Sequence, residues 1–272
     1  MSRLVLLSIV LFLAALPLAA VRASMLGPAE PSVSDDGEFR VLLFSRTAGF
    51  RHGSIAAGIA AVTKLGEKHG FAVNATEDPA EFTEENLDRY AVILFLNTTG
   101  TVLDADQKRA FERFIAKGRG WVGVHSASDT EYDWPWYAGL VGAYFKGHPA
   151  IQEATILVHD RGHPSTKMLP ERWVRTDEWY TFRDSPRGRV HVLMSVDERT
   201  YEGGGMGDDH PIAWCHEYRG GRAWYTALGH TNESYEEPLF LEHLLGGIRW
   251  AAGVEGDAPA KAPAGAPASS SP

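Results

Sequence analysis

The chain of 272 residues is long enough for one large domain or, less easily, two small ones, and its 44% apolar and 22% charged content is ordinary for a globular protein. Its net charge of −9 argues against nucleic acid as a partner, because phosphates favour a basic surface. The single cysteine, Cys215, excludes an intrachain disulfide. The alternating residues around it favour a buried strand position over a nucleophile.

The N-terminal segment is typical of a secretory signal peptide. Arg3 precedes a long apolar run, and small residues offer a cleavage site after Ala23. An uncleaved membrane anchor is the alternative, because the run is close to spanning length. We expect a signal peptide over 1–23, export to the periplasm or the medium, and no membrane span in the mature chain. Residues 24–38 are then a predicted linker, and the Pro/Ala/Ser-rich residues 254–272 are predicted to be disordered.

The first half of the predicted core alternates buried strands with helices. Ser54 is predicted to cap a helix that runs to about His69, and Ser128 and Glu131 stand at the spacing of a second cap. Another helix carries an apolar face of Leu103, Ala110, Phe111, Phe114 and Ile115. Strands are predicted at 40–45, 71–78, 91–97 and 120–125. Val/Ile/Leu-rich strands that alternate with helices indicate a parallel sheet covered on both faces.

The second half contains more strands and fewer helices. The last two strands are joined by a hairpin-compatible turn at 219–221, and a final helix runs from Pro238 to about Trp250. The strands are predicted at 154–160, 190–197, 210–218 and 221–230. We therefore expect one α/β domain, a doubly wound, mostly parallel, flavodoxin-like sheet with an antiparallel extension.

Polar residues follow several of the predicted parallel strands. In open α/β sheets, ligands bind in the crevice beyond the carboxyl ends of the strands, so the loops there are the first place to look for a site. We expect four such loops to share one edge of the sheet. They carry Arg51 and His52, then Asn97, Thr98 and Thr99, then His125, and finally His230.

Histidines and aromatic residues supply the remaining candidates. His125 and His230 are assigned catalytic roles, because imidazole transfers protons near neutral pH and ligates metals. Glu178 is assigned as their supporting carboxylate. Aromatic faces beside polar groups suit sugars, so the predicted substrate contacts include aromatic residues as well as polar ones. These predicted contacts are Arg51, His52, Asn97, Thr98, Thr99, Trp134, His148, Tyr180 and His210.

Seven stretches, in this order, resemble the ThuA-like, trehalose-utilisation family. They are TAGFRH, FLNTTG, GWVGVHSASDT, LVGAYFKGHP, DEWY, HPIAW and GRAWYTALGH, and the resemblance assigns 39–253 to a ThuA-like domain. The resemblance implies a class I glutamine amidotransferase-like fold. It also implies a role in bacterial metabolism of trehalose and related disaccharides, including routes through 3-keto sugars.

The same resemblance bears on the chemistry. In class I amidotransferases the turn after this strand carries a cysteine nucleophile, and a later strand supplies its histidine. His125 stands at the nucleophile position here, and His230 stands where the partner histidine would be. An acyl-enzyme needs a thiolate, so glutamine hydrolysis is not expected.

The leading hypothesis is proton transfer on a trehalose-type or 3-keto disaccharide, by elimination or hydration. His125 and His230 would act as acid, base or ligand, with or without a divalent metal such as zinc. One alternative is a glycoside hydrolase that pairs Glu178 with Asp177, Asp129 or Glu233. Another is a sugar-binding module without catalysis. A nicotinamide cofactor is not expected, because the first strand lacks a G-x-G-x-x-G turn.

Overall fold

A nine-stranded sheet with helices on both faces organises residues 39–255, the part of the chain that this computed structural model describes. The predicted signal peptide, the linker and the tail from 256 onward lie outside the described residues. Within 39–255, no helix combines the length and the apolar character needed to span a membrane.

The elements alternate along the chain, as the sequence pattern predicts. The helices are α1 (Ile55–His69), α2 (Glu84–Leu87), α3 (Ala105–Ala116), α4 (Pro135–Val141) and α5 (Pro238–Ala251). The strands are β1 (Phe39–Phe44), β2 (Phe71–Thr76), β3 (Val92–Leu96), β4 (Gly120–Val124), β5 (Phe145–Gly147), β6 (Gln152–Val158), β7 (Arg172–Asp177), β8 (Thr181–Phe182), β9 (His191–Val196), β10 (Pro211–Tyr218) and β11 (Gly221–Thr226).

One half of the sheet is parallel, in the order β2-β1-β3-β4-β11. Its central strands are buried because helices cover both faces. Phe111 of α3 stacks on Phe95 of β3 at 5.5 Å between ring centroids. Gly58 of α1 lies against Leu96 on the opposite face, where an added Cβ would come within 2.9 Å of the leucine side chain. The predicted α/β, doubly wound, mostly parallel fold is confirmed.

The other half is antiparallel and continues the sheet from β11 in the order β10-β9-β6-β7. No strand is predicted from the sequence at β7, an edge strand in which buried Trp173, Arg175 and Asp177 alternate with exposed residues. Strand direction reverses at each of the four antiparallel pairings, so β7 runs in the same direction as β11. The carboxyl end of β7 therefore lies at the same edge as those of the parallel strands.

The antiparallel half curls back over that edge. β7 stands four places from β11 in the strand order, yet the Asp177 carboxylate accepts hydrogen bonds from the backbone N–H groups of Gly229 and His230, just after β11. Twist accumulated along a large mixed sheet produces such a curl. It brings Glu178, the residue after β7, next to His125 and His230 at the carboxyl edge of the parallel half.

The two predicted helix caps are wrong in their contacts. Ser54 precedes α1, but its hydroxyl donates to the carbonyl of Gly229 instead of capping the helix. No helix begins at Ser128. The Glu131 carboxylate instead accepts the backbone N–H groups of Val102 and Leu103. Leu103 is buried but precedes α3, which a capping box of Asp104 and Gln107 initiates.

The cysteine prediction is confirmed. Cys215 is fully buried on β10, and burial raises the pKa of its thiol. A buried thiol with a raised pKa supplies little thiolate and is a poor nucleophile.

Candidate active site

Four titratable side chains meet at the carboxyl edge of the sheet. One nitrogen or oxygen from each of His52, His125, Glu178 and His230 lies within 4.8 Å of the others. They come from the segments after β1, β4, β7 and β11, which are far apart in sequence. The sheet thus gathers two predicted catalytic histidines, the predicted supporting carboxylate and one predicted substrate contact into one cluster.

His125 occupies a sharp turn at the end of β4. Its φ of +50° is a left-handed conformation that residues other than glycine seldom adopt, and such strain concentrates at functional sites. The hydroxyl of Tyr225 donates to the His125 carbonyl at 2.8 Å and holds the turn. The His125 Nδ1–H donates to the carbonyl of Ala227 at 2.7 Å. Because that carbonyl can only accept, neutral His125 has its lone pair on Nε2.

The central contacts form a triangle of atoms. His125 Nε2 lies 3.1 Å from His230 Nδ1 and 3.4 Å from Glu178 Oε2. His230 Nδ1 lies 3.1 Å from the same carboxylate oxygen. When His125 is neutral, its lone pair and the carboxylate oxygen share at most one hydrogen, that on His230 Nδ1. The three atoms therefore offer more hydrogen-bond acceptors than donors, and such an arrangement favours a cation bound between them.

Protonation in the cluster follows from burial and from these neighbours. Burial tends to raise the pKa of Glu178, but hydrogen bonds from the protonated rings of His125 and His230 hold it well below its usual range. Burial tends to lower the pKa of His230, but the hydrogen bond and charge of Glu178 raise it. His52 differs, because burial and then the charges of His125 and His230 lower its pKa to about 3. His52 is therefore neutral near pH 7, and Glu178 is ionised.

The triangle fits a divalent metal. Zinc in tetrahedral sites is bound at about 2.0–2.1 Å by nitrogen and oxygen ligands, which places neighbouring ligand atoms about 3.3 Å apart. The three observed separations are 3.1, 3.1 and 3.4 Å. The hydrogen bond from His125 to Ala227 orients the ring as carbonyl partners orient metal-bound imidazoles. His125, His230 and Glu178 would hold the ion, and neutral His52 is close enough to complete the set.

His148 and Tyr180 border the cluster. The Tyr180 ring lies over that of His125, with 4.0 Å between centroids, and its hydroxyl is 3.5 Å from His52 Nε2. The side chain of His148 is 41% exposed, and its Nδ1 lies 3.1 Å from Glu178 Oε1. It also lies 2.9 Å from the carbonyl of Pro149. Both partners are acceptors, so Nδ1 carries the hydrogen and the lone pair of neutral His148 is on Nε2.

Comparison with known proteins identifies the family. The family model described as trehalose utilisation matches residues 40–251, nearly all of the described chain. The chain belongs to the ThuA family. A search of curated proteins finds no match.

Solved structures agree with this ThuA assignment. A ThuA-like protein from Bacteroides uniformis is 27% identical with a TM-score of 0.67, over 78% of this chain and 91% of that chain. One from Parabacteroides merdae is 20% identical with a TM-score of 0.67, over 85% and 94%. A β-galactosidase from Bacillus circulans, 11% identical with a TM-score of 0.51 over 80% of this chain and 31% of that chain, shares the fold alone.

Three predicted substrate contacts of this ThuA protein are buried and make internal hydrogen bonds. Asn97 donates from Nδ2 to Ser54 Oγ at 3.0 Å, and the hydroxyl of Thr98 pairs with that of Thr130 at 2.8 Å. The Thr99 hydroxyl donates to the carbonyl of Phe50 at 2.8 Å. All three predicted contacts are fully buried. In this structure their polar groups hold neighbouring loops in place, and their contact with a ligand stays a prediction.

Three further predicted contacts lie outside the ThuA cluster. Arg51 is 53% exposed and pairs with Glu77 at 2.7 Å. Trp134 packs between α3 and α4, where it stacks on Trp136 at 4.9 Å. His210 is fully buried and donates from Nε2 to the carbonyl of Tyr180 at 2.7 Å, so it holds the backbone of Tyr180 in place. A polar or aromatic residue near a strand end in sequence can still point into the core or away from the crevice.

Asp177 supports the site in a way that the sequence does not predict. Its fully buried carboxylate accepts the N–H groups of Gly229 and His230 and pairs with Arg175 at 3.2 Å. It therefore fixes the loop that carries His230. The sequence shows that Asp177 is adjacent to Glu178. It does not show the curl of the sheet, which brings Asp177 to the loop that carries His230.

Proposed function

We propose that this ThuA-family protein processes trehalose-type or 3-keto disaccharides by histidine-based proton transfer at a divalent-metal site, and that it does so after export. The triangle of His125, His230 and Glu178, with separations of 3.1–3.4 Å, carries the proposal. The family's description as trehalose utilisation supports the class of substrate.

The residues divide into ligands and a proton carrier. The lone pairs of His125 and His230 that face the triangle cannot bind a metal and accept a proton at the same time. His148 stands outside the triangle, partly exposed, with its hydrogen on Nδ1 and a free lone pair on Nε2. Glu178 Oε1 orients this ring through Nδ1–H, as a carboxylate orients the base of a catalytic triad. We therefore assign His148 as the general base and acid.

The chemistry that suits these groups is β-elimination on a 3-keto sugar. The ketone acidifies the proton on C2, and His148 Nε2 takes that proton. The electrons of the C2–H bond form the C1=C2 double bond, the C1–O bond breaks, and the leaving oxygen receives the proton from His148. A bound divalent metal would polarise the ketone oxygen as a Lewis acid.

Turnover of a 3-keto disaccharide tests the proposal. We expect His148→Ala to lower kcat by about 10²–10⁴-fold, the usual contribution of a positioned acid or base. His125→Ala and His230→Ala should lower kcat at least as much, because each removes a proposed metal ligand. His191→Ala is the matched control. The His191 side chain is equally exposed, at 41%, but it lies at the start of β9, where it pairs with Asp160. Wild-type rates in the three site variants would refute the proposal.

The glycoside-hydrolase alternative loses one of its three pairings. Asp177 is fully buried and bonded to backbone N–H groups, so it cannot reach a substrate. Asp129 accepts a hydrogen bond from the hydroxyl of Tyr132 at 2.6 Å. A sugar-binding module without catalysis would bind disaccharides and convert none of them, which the turnover assay detects directly.

A further inference from the structure

Phe50 stands exposed beside the histidine cluster. Its side chain is 67% exposed, and its ring meets that of His52 edge to face at 4.9 Å between centroids. Among the exposed large hydrophobic residues of 39–255 it is the aromatic one, the others being Ile151, Met168, Val174 and Val254. A lone exposed aliphatic residue needs no explanation, but a phenylalanine in contact with a functional cluster does.

The loop that carries Phe50 is held in place by Thr99. The Ala48 N–H donates to the Thr99 carbonyl at 2.7 Å, and the Gly49 N–H donates to its hydroxyl at 3.1 Å. That hydroxyl donates in turn to the Phe50 carbonyl at 2.8 Å. Gly100, with φ of +74°, lets the two loops approach, since a Cβ there would lie 3.2 Å from Ala48. The exposed ring is therefore presented by a fixed backbone, which lowers the entropy cost of binding.

The chemistry of the ring defines what it can bind. Burying a phenylalanine side chain is favourable, and the free protein does not gain that free energy at Phe50. The ring has no polar atom, so its partner must offer an apolar face. Pyranose rings offer such a face of C–H groups, and their hydroxyls remain free for polar neighbours. His52, which Phe50 contacts, lies 4.9 Å from His125 and 5.1 Å from His230 between ring centroids, so a sugar on Phe50 would reach the cluster.

We propose that Phe50 is the specificity-determining platform of the site, stacking on the C–H face of one pyranose ring of the substrate. The inference rests on the proposed function, because it assumes a sugar at the cluster. It assigns Phe50 to substrate affinity and leaves the proton transfer to His148.

Calorimetric titration with trehalose tests the platform. We expect Phe50→Ala and Phe50→Leu to weaken binding about 10-fold, equivalent to about 1.4 kcal/mol, and Phe50→Tyr to stay within about threefold of the wild type. Leucine keeps apolar bulk and tyrosine keeps the aromatic face, so this pair isolates stacking. Met168→Ala is the matched control, because Met168 is a large apolar residue that is 60% exposed. It lies near the end of α5, where its neighbour Lys167 pairs with Glu255.

The outcomes separate this inference from the proposed function. Wild-type affinity in Phe50→Ala, or in Phe50→Leu, overturns the platform alone, because the turnover test on His125 and His148 does not involve Phe50. A wild-type protein that binds no trehalose overturns the platform, whereas turnover of a 3-keto disaccharide decides the proposed function separately. Weak binding by all three Phe50 variants, tyrosine included, also overturns stacking, since the aromatic face would then be irrelevant.

Discussion

The parallel and antiparallel halves of the sheet contribute to the site in different ways. The parallel half supplies His52, His125 and His230 from loops at its carboxyl edge, where ligands are expected in this fold. The antiparallel half supplies Glu178, and it reaches the same edge only because the sheet curls over it. The strand order alone therefore places the imidazoles of the parallel half at the site. The carboxylate of the antiparallel half reaches the site only through tertiary packing.

The largest effect should come from breaking the link between the halves. Asp177→Ala leaves buried N–H groups of Gly229 and His230 without an acceptor and Arg175 without its fully buried partner. We expect the free energy of unfolding to fall by about 3–5 kcal/mol, together with metal affinity. Urea denaturation and metal titration measure both. Glu153→Ala, at an exposed position on β6, is the control, and a stable Asp177 variant with normal metal affinity would contradict the link.

A change at the opposite edge of the parallel half should affect stability alone. Gly120 begins β4, and an added Cβ would lie 2.2 Å from the carbonyl oxygen of Ala251 in α5. Gly120→Ala should lower the free energy of unfolding by about 1–3 kcal/mol, the usual range for overpacking. Turnover by the folded fraction should equal that of the wild type. A specific loss of kcat would mean that α5 is coupled to the site.

A histidine of the core should make stability depend on pH. His243 is fully buried on α5, and burial lowers its pKa to about 3. Below about pH 6.5 the unfolded chain binds a proton that native His243 does not. The free energy of unfolding therefore decreases as the pH is lowered, by up to about 1.4 kcal/mol per pH unit. The loss spans the window from pH 6.5 to about 3 and is absent above it.

Denaturation of His243→Gln between pH 7.5 and 5.5 measures how much His243 contributes to the pH dependence of the free energy of unfolding. The variant should be less stable at pH 7.5, because the hydrogen bond from Nδ1 to the carbonyl of Ser165 changes, but its stability should fall less steeply with pH. His191→Gln, at an exposed position, should keep most of the wild-type slope. An unchanged slope in the His243 variant would show that this imidazole is not the source.

The smallest effect is expected at Arg51. This residue was predicted from sequence as a substrate contact, but its guanidinium is exposed and paired with Glu77. Exposed ion pairs contribute about 0–1 kcal/mol, so Arg51→Ala should change stability by less than that and KM by less than about threefold. A larger rise in KM would restore the sequence interpretation.

The sequence predicts one half of the molecule better than the other, for physical reasons. Continuous Val/Ile/Leu strands and periodic helices define the parallel half, and the carboxyl-edge rule then places His125 and His230 together. β7 is missed because its alternating charged residues read as a surface segment. Side-chain direction is also out of reach: Thr99 and His210 lie near the crevice in sequence, but both side chains are buried. Phe50 is likewise missed, since exposure beside a cluster is a tertiary property.

The number of zinc ions bound per chain tests the central claim most directly. The purified protein would be loaded with zinc, dialysed and assayed by elemental analysis beside His230→Ala and His191→Ala. The triangle of His125, His230 and Glu178 predicts about one tightly held ion in the wild type and in His191→Ala, and its loss in His230→Ala. A wild-type chain that retains no ion yet converts the sugar at full rate, or a His230 variant that retains the ion, would contradict it.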